Sequence, residues 1–112
     1  MSQSRLLTLL LVLCLRFTQA FDCGSDPVQN ALAEMVVKVD CPARLGAFNN
    51  CCSAHDRCYA AKGGRARCDD IFCDCIQQAG NVNMQCQAHG RNFCGMVRNF
   101  GAVAYANGKR RK

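Results

Sequence analysis

After Leu15 the sequence has no further run of apolar residues, and the one it does have, Leu6 to Leu15, spans only about ten positions. A bilayer-spanning helix needs roughly 20, so a membrane-embedded body is excluded and a soluble mature protein is expected. Net charge is scarce too. Without Arg5 and Arg16 of the leader, twelve basic residues face eight acidic ones, and four of the twelve are the closing Lys109-Arg-Arg-Lys112. The body between is therefore neutral and has no basic face. Aromatic side chains are not interleaved with the basic cluster, which argues against nucleic-acid readout. At 112 residues the chain has room for one small domain.

What is present begins with a leader. Arg5 precedes the apolar run, and Thr18-Gln-Ala20 places small residues at a cleavage position, the layout of a secretory signal peptide. A buried N-terminal helix is the competing reading. The expected organisation is a signal peptide at 1–20, a domain at 21–107 and a basic tail at 108–112, with the product secreted and extracellular. Three readings of the tail stay open: a solvated terminus, attraction to anionic membrane surfaces through Lys109 to Lys112, and proteolytic trimming.

Removing residues 1–20 takes Cys14 with it and leaves ten cysteines, an even number suited to full pairing in an oxidising compartment. Zinc ligation by Cys51, Cys52 and His55 is conceivable but runs against secretion. So small a domain buries little apolar surface, and each bridge can add about 2–4 kcal/mol. An all-α, disulfide-rich fold follows from the helical pattern. Asp26-Pro27 forms a helix start. Val28, Ala31, Leu32, Met35, Val36 and Val39 then make one apolar stripe over 27–39, which is read as core, with a place along a lipid channel as the alternative. Cys41-Pro42 breaks this helix, and a turn is expected over 42–46. A second helix is expected over 47–62, closed by Gly63-Gly64, and a third over 67–79, stopped by Gly80. Residues 81–107 are less periodic, with a short helix or hairpin expected near Phe93 to Tyr105.

Cys51 and Cys58 are seven residues apart on the second helix, and Cys68 and Cys75 are seven apart on the third. Seven residues are nearly two turns, so each pair lies along one seam. The short connection favours antiparallel neighbours, in which Cys58 faces Cys68 and Cys51 faces Cys75. His55 lies between the two cysteines of its seam, and Asp69 adjoins Cys68. A carboxylate there can accept a hydrogen bond from one imidazole nitrogen and leave the other as a base. Asp56 and Tyr59 project from the flank of the same helix, Asp56 as the natural ligand of any cation. A lone His in a small protein is usually structural. Its company here favours a site. His89, in a polar stretch with no partner in view, is read as surface.

The stretch Cys51-Cys52-Ser-Ala-His55-Asp56-Arg-Cys58-Tyr59 resembles the active-site helix of secreted phospholipases A2, whose pattern is CCxxHDxCY, and Cys68-Asp69-Asp70-Ile-Phe72-Cys-Asp-Cys75 resembles its partner helix. The likeness covers residues 50–79, with the short link of the family's compact branch. It implies a phospholipase A2-like fold with bridges Cys51–Cys75 and Cys58–Cys68. It also implies a calcium-dependent hydrolysis of the sn-2 acyl ester of phospholipids at a membrane or micelle surface. In that chemistry His55 is the general base, Asp69 and Tyr59 orient it, and Asp56 ligates calcium. No serine or cysteine nucleophile is required.

The chain departs from the pattern in two places. Family members carry a Gly-rich calcium loop resembling YGCxCGxGG, which here should lie some ten to sixteen residues before Cys51. Here that stretch is Met35 to Cys41, without glycine. Hard cations take six to eight oxygens, so either another segment, such as Cys41 to Gly46, supplies carbonyls or calcium binds poorly. Ala66 stands where many members have a cysteine and Cys73 is an extra, which implies rewired outer bridges for Cys23, Cys41, Cys52, Cys73, Cys86 and Cys94. The expected function is thus a secreted phospholipase A2. A secreted binding protein on the same scaffold is the main alternative, and a membrane-disrupting peptide a lesser one.

Overall fold

The structure, a computed structural model, describes residues 3–9, 21–24 and 26–107. These are almost entirely helical, with one isolated bridge between Asn81 and Asn83. Residues 3–9 form a helix whose Leu6, Leu7 and Leu9 are exposed. The remainder of the expected leader, including Ala20, and the basic Lys109 to Lys112 lie outside the described residues.

Helix α1, Pro27–Asp40, begins as its sequence dictates: the Asp26 side chain accepts a hydrogen bond from Gln29 N at 2.8 Å, and Pro27 occupies the first turn. Its roll about its own axis differs from expectation. The face turned inward is Asn30, Ala33 and Val37, while Val28, Leu32, Met35 and Val39 of the apolar stripe are all more than half exposed. Covalent and polar anchors decide the roll. Cys23–Cys52 and Cys41–Cys86 hold the flanks of the helix. Gly24 N donates to the buried Asn30 Oδ1, and Asn83 Nδ2 donates to Asp40 O at 2.9 Å. A stripe read from periodicity alone yields to these attachments.

A 3-10 turn, Pro42–Arg44, runs directly into α2, Leu45–Ala60, so Gly46 is helical and α2 starts earlier than the expected residue 47. It also ends earlier. Lys62, at φ 55°, takes the left-handed conformation, and Gly63 N reaches back to Cys58 O at 3.0 Å while Lys62 N reaches Tyr59 O at 3.0 Å. This double bond pattern satisfies the orphan carbonyls of the last turn. Helix α3, Arg65–Ala79, follows and ends at Gly80.

The largest difference is α4, Met84–Phe100, a 17-residue helix where only a short element was expected, followed by the short α5, Ala102–Ala106. Gly90 and Gly95 each weaken an isolated helix by about 1 kcal/mol relative to alanine, which masks the local signal. Tertiary structure supplies what propensity lacks. The Asn83 side chain caps Cys86 N at 2.8 Å, and Cys86 and Cys94 are bridged to Cys41 and Cys73. Gly90 lets α4 approach α3 closely, since a Cβ there would sit 3.0 Å from Ile76 O.

The core lies between α2, α3 and α4. Phe48, Ile76 and Val37 are fully buried, and Phe48 meets Phe93 edge-to-face at 5.8 Å. Helices α2 and α3 are antiparallel, joined by Cys51–Cys75 and Cys58–Cys68 at a Cα separation of 5.7 Å in each. The outer bridges are Cys23–Cys52, Cys41–Cys86 and Cys73–Cys94.

Two glycines test this packing in opposite directions. A Cβ at Gly80 would fall 2.4 Å from Cys86 O, a backbone atom that cannot step aside, whereas at Gly46 it would meet nothing within 4 Å. Gly80→Ala is expected to lower unfolding free energy by about 1–3 kcal/mol. Gly46→Ala is expected to raise it by about 0.5–1 kcal/mol. Guanidinium unfolding with the bridges intact measures both.

Candidate active site

Helix α2 carries His55, Asp56 and Tyr59, and α3 carries Asp69 and Phe72. The bridge Cys58–Cys68 has Tyr59 and Asp69 as immediate neighbours, so the covalent link sets their approach. His55 Nε2 lies 2.7 Å from Asp69 Oδ1, and the Tyr59 hydroxyl donates to the same oxygen at 2.6 Å. All three side chains are buried. Phe72 and Tyr59 both pack against the imidazole, with ring centroids 4.8 Å and 4.1 Å away. The His–Asp–Tyr set expected from the sequence is thus assembled.

Its electrostatics follow from burial. Desolvation holds His55 below its ordinary 6.5 and outweighs the opposing pull of the Asp69 carboxylate. The neutral imidazole donates its Nε2 proton to Asp69 and keeps the lone pair on Nδ1. Burial, followed by the hydrogen bond to Asp69, pushes Tyr59 up to about 12. The phenol therefore remains a donor at neutral pH.

His55, Asp56 and Tyr59 line a cavity of about 230 Å³. One side of it is apolar, formed by Phe72, Met96, Val97 and Phe100. The other brings in residues that sequence reasoning missed: Asp22, Cys23 and Gly24. Asp22 N donates to Asn49 Oδ1 at 2.7 Å, Ser53 Oγ donates to Asp22 Oδ2 at 2.7 Å, and Cys23 is bonded to Cys52. Positions 49, 52, 53 and 56 follow one face of α2, so residues 22–24 are laid along the face that bears Asp56. A clue was available. Cys52 is one residue round the helix from Cys51, so it points away from α3 and must pair with some other segment.

The stretches considered as sources of cation-binding carbonyls do not line the cavity. Met35 to Asp40 are the end of α1, and Pro42 to Gly46 are the 3-10 turn and the start of α2. Among the described residues no group of three or more His, Cys, Asp or Glu side chains is arranged to hold a metal ion. Any hard cation here would need backbone oxygens. His89, expected to be an unpartnered surface residue, instead has its Nε2 2.6 Å from Asp40 Oδ2 and is only partly exposed. The pairing joins α4 to the end of α1, a contact between residues 49 positions apart that no local pattern reveals.

No protein-family model matches the chain. No solved structure matches it either. Over 86 residues it is 35% identical to the phospholipase A2-like protein Y52B11A.8 of Caenorhabditis elegans, a match that covers 76% of this chain and 49% of that protein. The chain spans about half the length of this curated relative.

Proposed function

We propose that this chain is a secreted phospholipase A2 that hydrolyses the sn-2 acyl ester of phospholipids with a water activated by His55. The observation that carries the reading is the Asp69 carboxylate, buried between α2 and α3 and engaged by both His55 and Tyr59 on one oxygen. The relative's name supports the family, and the five bridges suit an oxidising, extracellular setting.

In this reading His55 Nδ1 takes a proton from water, and the hydroxide oxygen adds to the ester carbonyl. The imidazolium then returns the proton to the departing glycerol oxygen, leaving a free fatty acid and a lysophospholipid. Asp69 keeps the imidazole in the required tautomer and stabilises its transient positive charge. Tyr59 holds the carboxylate, and Phe72 keeps water from the back of the ring. The acyl chain would lie along Met96, Val97 and Phe100, the apolar wall of the cavity. Phe100 is 78% exposed and Met96 partly so, giving the cavity an apolar rim toward a membrane or micelle surface. The basic Lys109 to Lys112 would add attraction to anionic lipid.

The reading includes calcium, and what supports it is that two carboxylates, Asp56 and Asp22, line the cavity beside the non-helical residues 22–24. Asp56, with Asp22 and carbonyls of this segment, would hold the ion. When bound, calcium supplies Lewis-acid polarisation of the ester carbonyl. A second reading, a binding protein without turnover, draws on the helical Met35 to Asp40, where the Gly-rich loop of the family is missing.

The two readings part in one assay. Mature protein on mixed phospholipid vesicles is expected to release fatty acid with calcium and not with chelator, and His55→Gln is expected to lower kcat by about 100-fold or more. Equal lack of release from parent and His55→Gln at millimolar calcium would favour the binding protein. Calcium calorimetry tests the ion site without turnover: Asp56→Asn is expected to abolish binding and Asp22→Asn to weaken it, whereas parent-like binding by Asp56→Asn would remove calcium from the scheme. The pH dependence has a definite sign. Because the folded His55 sits below 6.5, the base is still neutral at that pH, and the acid limb of kcat/KM should fall lower. Between 6.5 and the lower folded value the unfolded chain binds a proton that the folded chain refuses. This contribution to stability is complete above 6.5 and declines as pH falls through that window. Chemical denaturation across the window, with His55→Gln as the reference, reads it.

A further inference from the structure

Arg65 occupies the first position of α3, where a positive charge opposes the helix dipole. Its guanidinium instead reaches two places: Asp69, one turn further along the same helix, and the end of α4. Its Nη2 donates to Arg98 O at 2.8 Å and to Val97 O at 3.3 Å, carbonyls in the last turns of α4. There a cation is favourable. Its Nε is buried and stands 3.8 Å from Asp69 Oδ2, close enough for charge attraction but not for a hydrogen bond, and the guanidinium also interacts with the Tyr59 phenol. Asp69 therefore has its two oxygens dealt with separately: Oδ1 receives His55 and Tyr59, and Oδ2 faces the guanidinium.

The Asp69 carboxylate is only 3% exposed, its Oδ1 is taken by an imidazole and a phenol, and Arg65 is the guanidinium that faces its Oδ2. A buried charge without a counter-ion is costly and tends to rotate or draw in water. We propose that Arg65 is a positioning residue for the His55–Asp69 pair: it holds the Asp69 carboxylate in the rotation that presents Oδ1 to the imidazole, and it ties that carboxylate to the end of α4 that walls the cavity. The proposal rests on the catalytic reading above for its kinetic consequence but not for its structural one. Arginine is the residue that can do this, because its planar fork lets Nη2 hold carbonyls while Nε stays beside the carboxylate. Lysine has a single point of contact.

The test uses mature protein with its bridges intact, in the variants Arg65→Gln, Arg65→Lys and Asp70→Asn. The last is a control that removes the exposed Arg98–Asp70 ion pair without touching the dyad. Imidazole 15N shifts, recorded at one pH where His55 is neutral, report its tautomer without any need for turnover. The parent and Asp70→Asn are expected to show the single Nε2–H form. Arg65→Gln is expected to show both tautomers in exchange and to lose about tenfold in kcat with KM little changed. Arg65→Lys should fall the same way to a smaller degree, and it decides the matter if the glutamine variant does not fold. A sole effect on KM, with tautomer and kcat as in the parent, would mean that Arg65 merely braces the Met96–Val97–Phe100 wall and would overturn the proposal. If the parent has the single tautomer yet cleaves no lipid, the positioning role stands on the spectra and the catalytic reading falls. Mixed tautomers in the parent would remove both.

Discussion

Everything at the site depends on two covalent links between antiparallel helices. Cys51–Cys75 and Cys58–Cys68 hold α2 and α3 with Cα atoms 5.7 Å apart at two points along one seam. Two points fix both the distance and the register of one rod against another. The residues next to the bridged cysteines, Tyr59 beside Cys58 and Asp69 beside Cys68, are thereby forced to face each other. His55, between the bridges on α2, has no choice of partner. Burying a carboxylate at a helix interface is unfavourable unless its hydrogen bonds are met, and an interface held by packing alone can open to hydrate it. Here the sulfur links close that escape, and the charge is accommodated by donors instead: an imidazole and a phenol on one oxygen, a guanidinium near the other.

This arrangement also explains why the histidine suits a base more than a structural ion pair. A partner carboxylate normally raises an imidazole, yet burial wins and His55 is held below 6.5. The result is a neutral ring, oriented by a strong acceptor and opening on a cavity of about 230 Å³ with an apolar wall.

How much of this was legible in the sequence follows from where the information sits. The seam was readable because both members of each cysteine pair lie on one helix, and helical period alone puts them in line with His55. Helix α4 was not, because Gly90 and Gly95 look like helix breakers until Ile76 O is seen at the position a side chain would occupy. The stripe Val28, Leu32, Met35 and Val39 misled for the converse reason. Its periodicity is real, but two bridges and the buried Asn30 orient α1 so that the smaller Ala33 and Val37 face the core. The cation segment was sought just before α2, whereas the backbone beside Asp56 comes from Asp22 to Gly24, on the far side of α1 in sequence. The i,i+4 spacing of Arg65 and Asp69 was there to be read, but the hold of Arg65 on α4 and the His89–Asp40 contact carry no local pattern, since each joins elements distant in the chain.

The five bridges divide the work. Two fix the dyad. Cys23–Cys52 binds residues 22–24 to the face of α2 that bears Asp56, and so controls which carboxylate joins it. Cys73–Cys94 and Cys41–Cys86 anchor α4, whose far end supplies Met96, Val97 and Phe100 to the cavity. Those anchors lie toward the start and middle of α4, leaving its last turns without a covalent tie. Arg65 meets the helix there, on Val97 O and Arg98 O, and so completes by charge what the sulfur atoms leave undone. One guanidinium then stands beside the carboxylate that pairs with His55 and on the helix end that lines the cavity's apolar part, so a single side chain links the two.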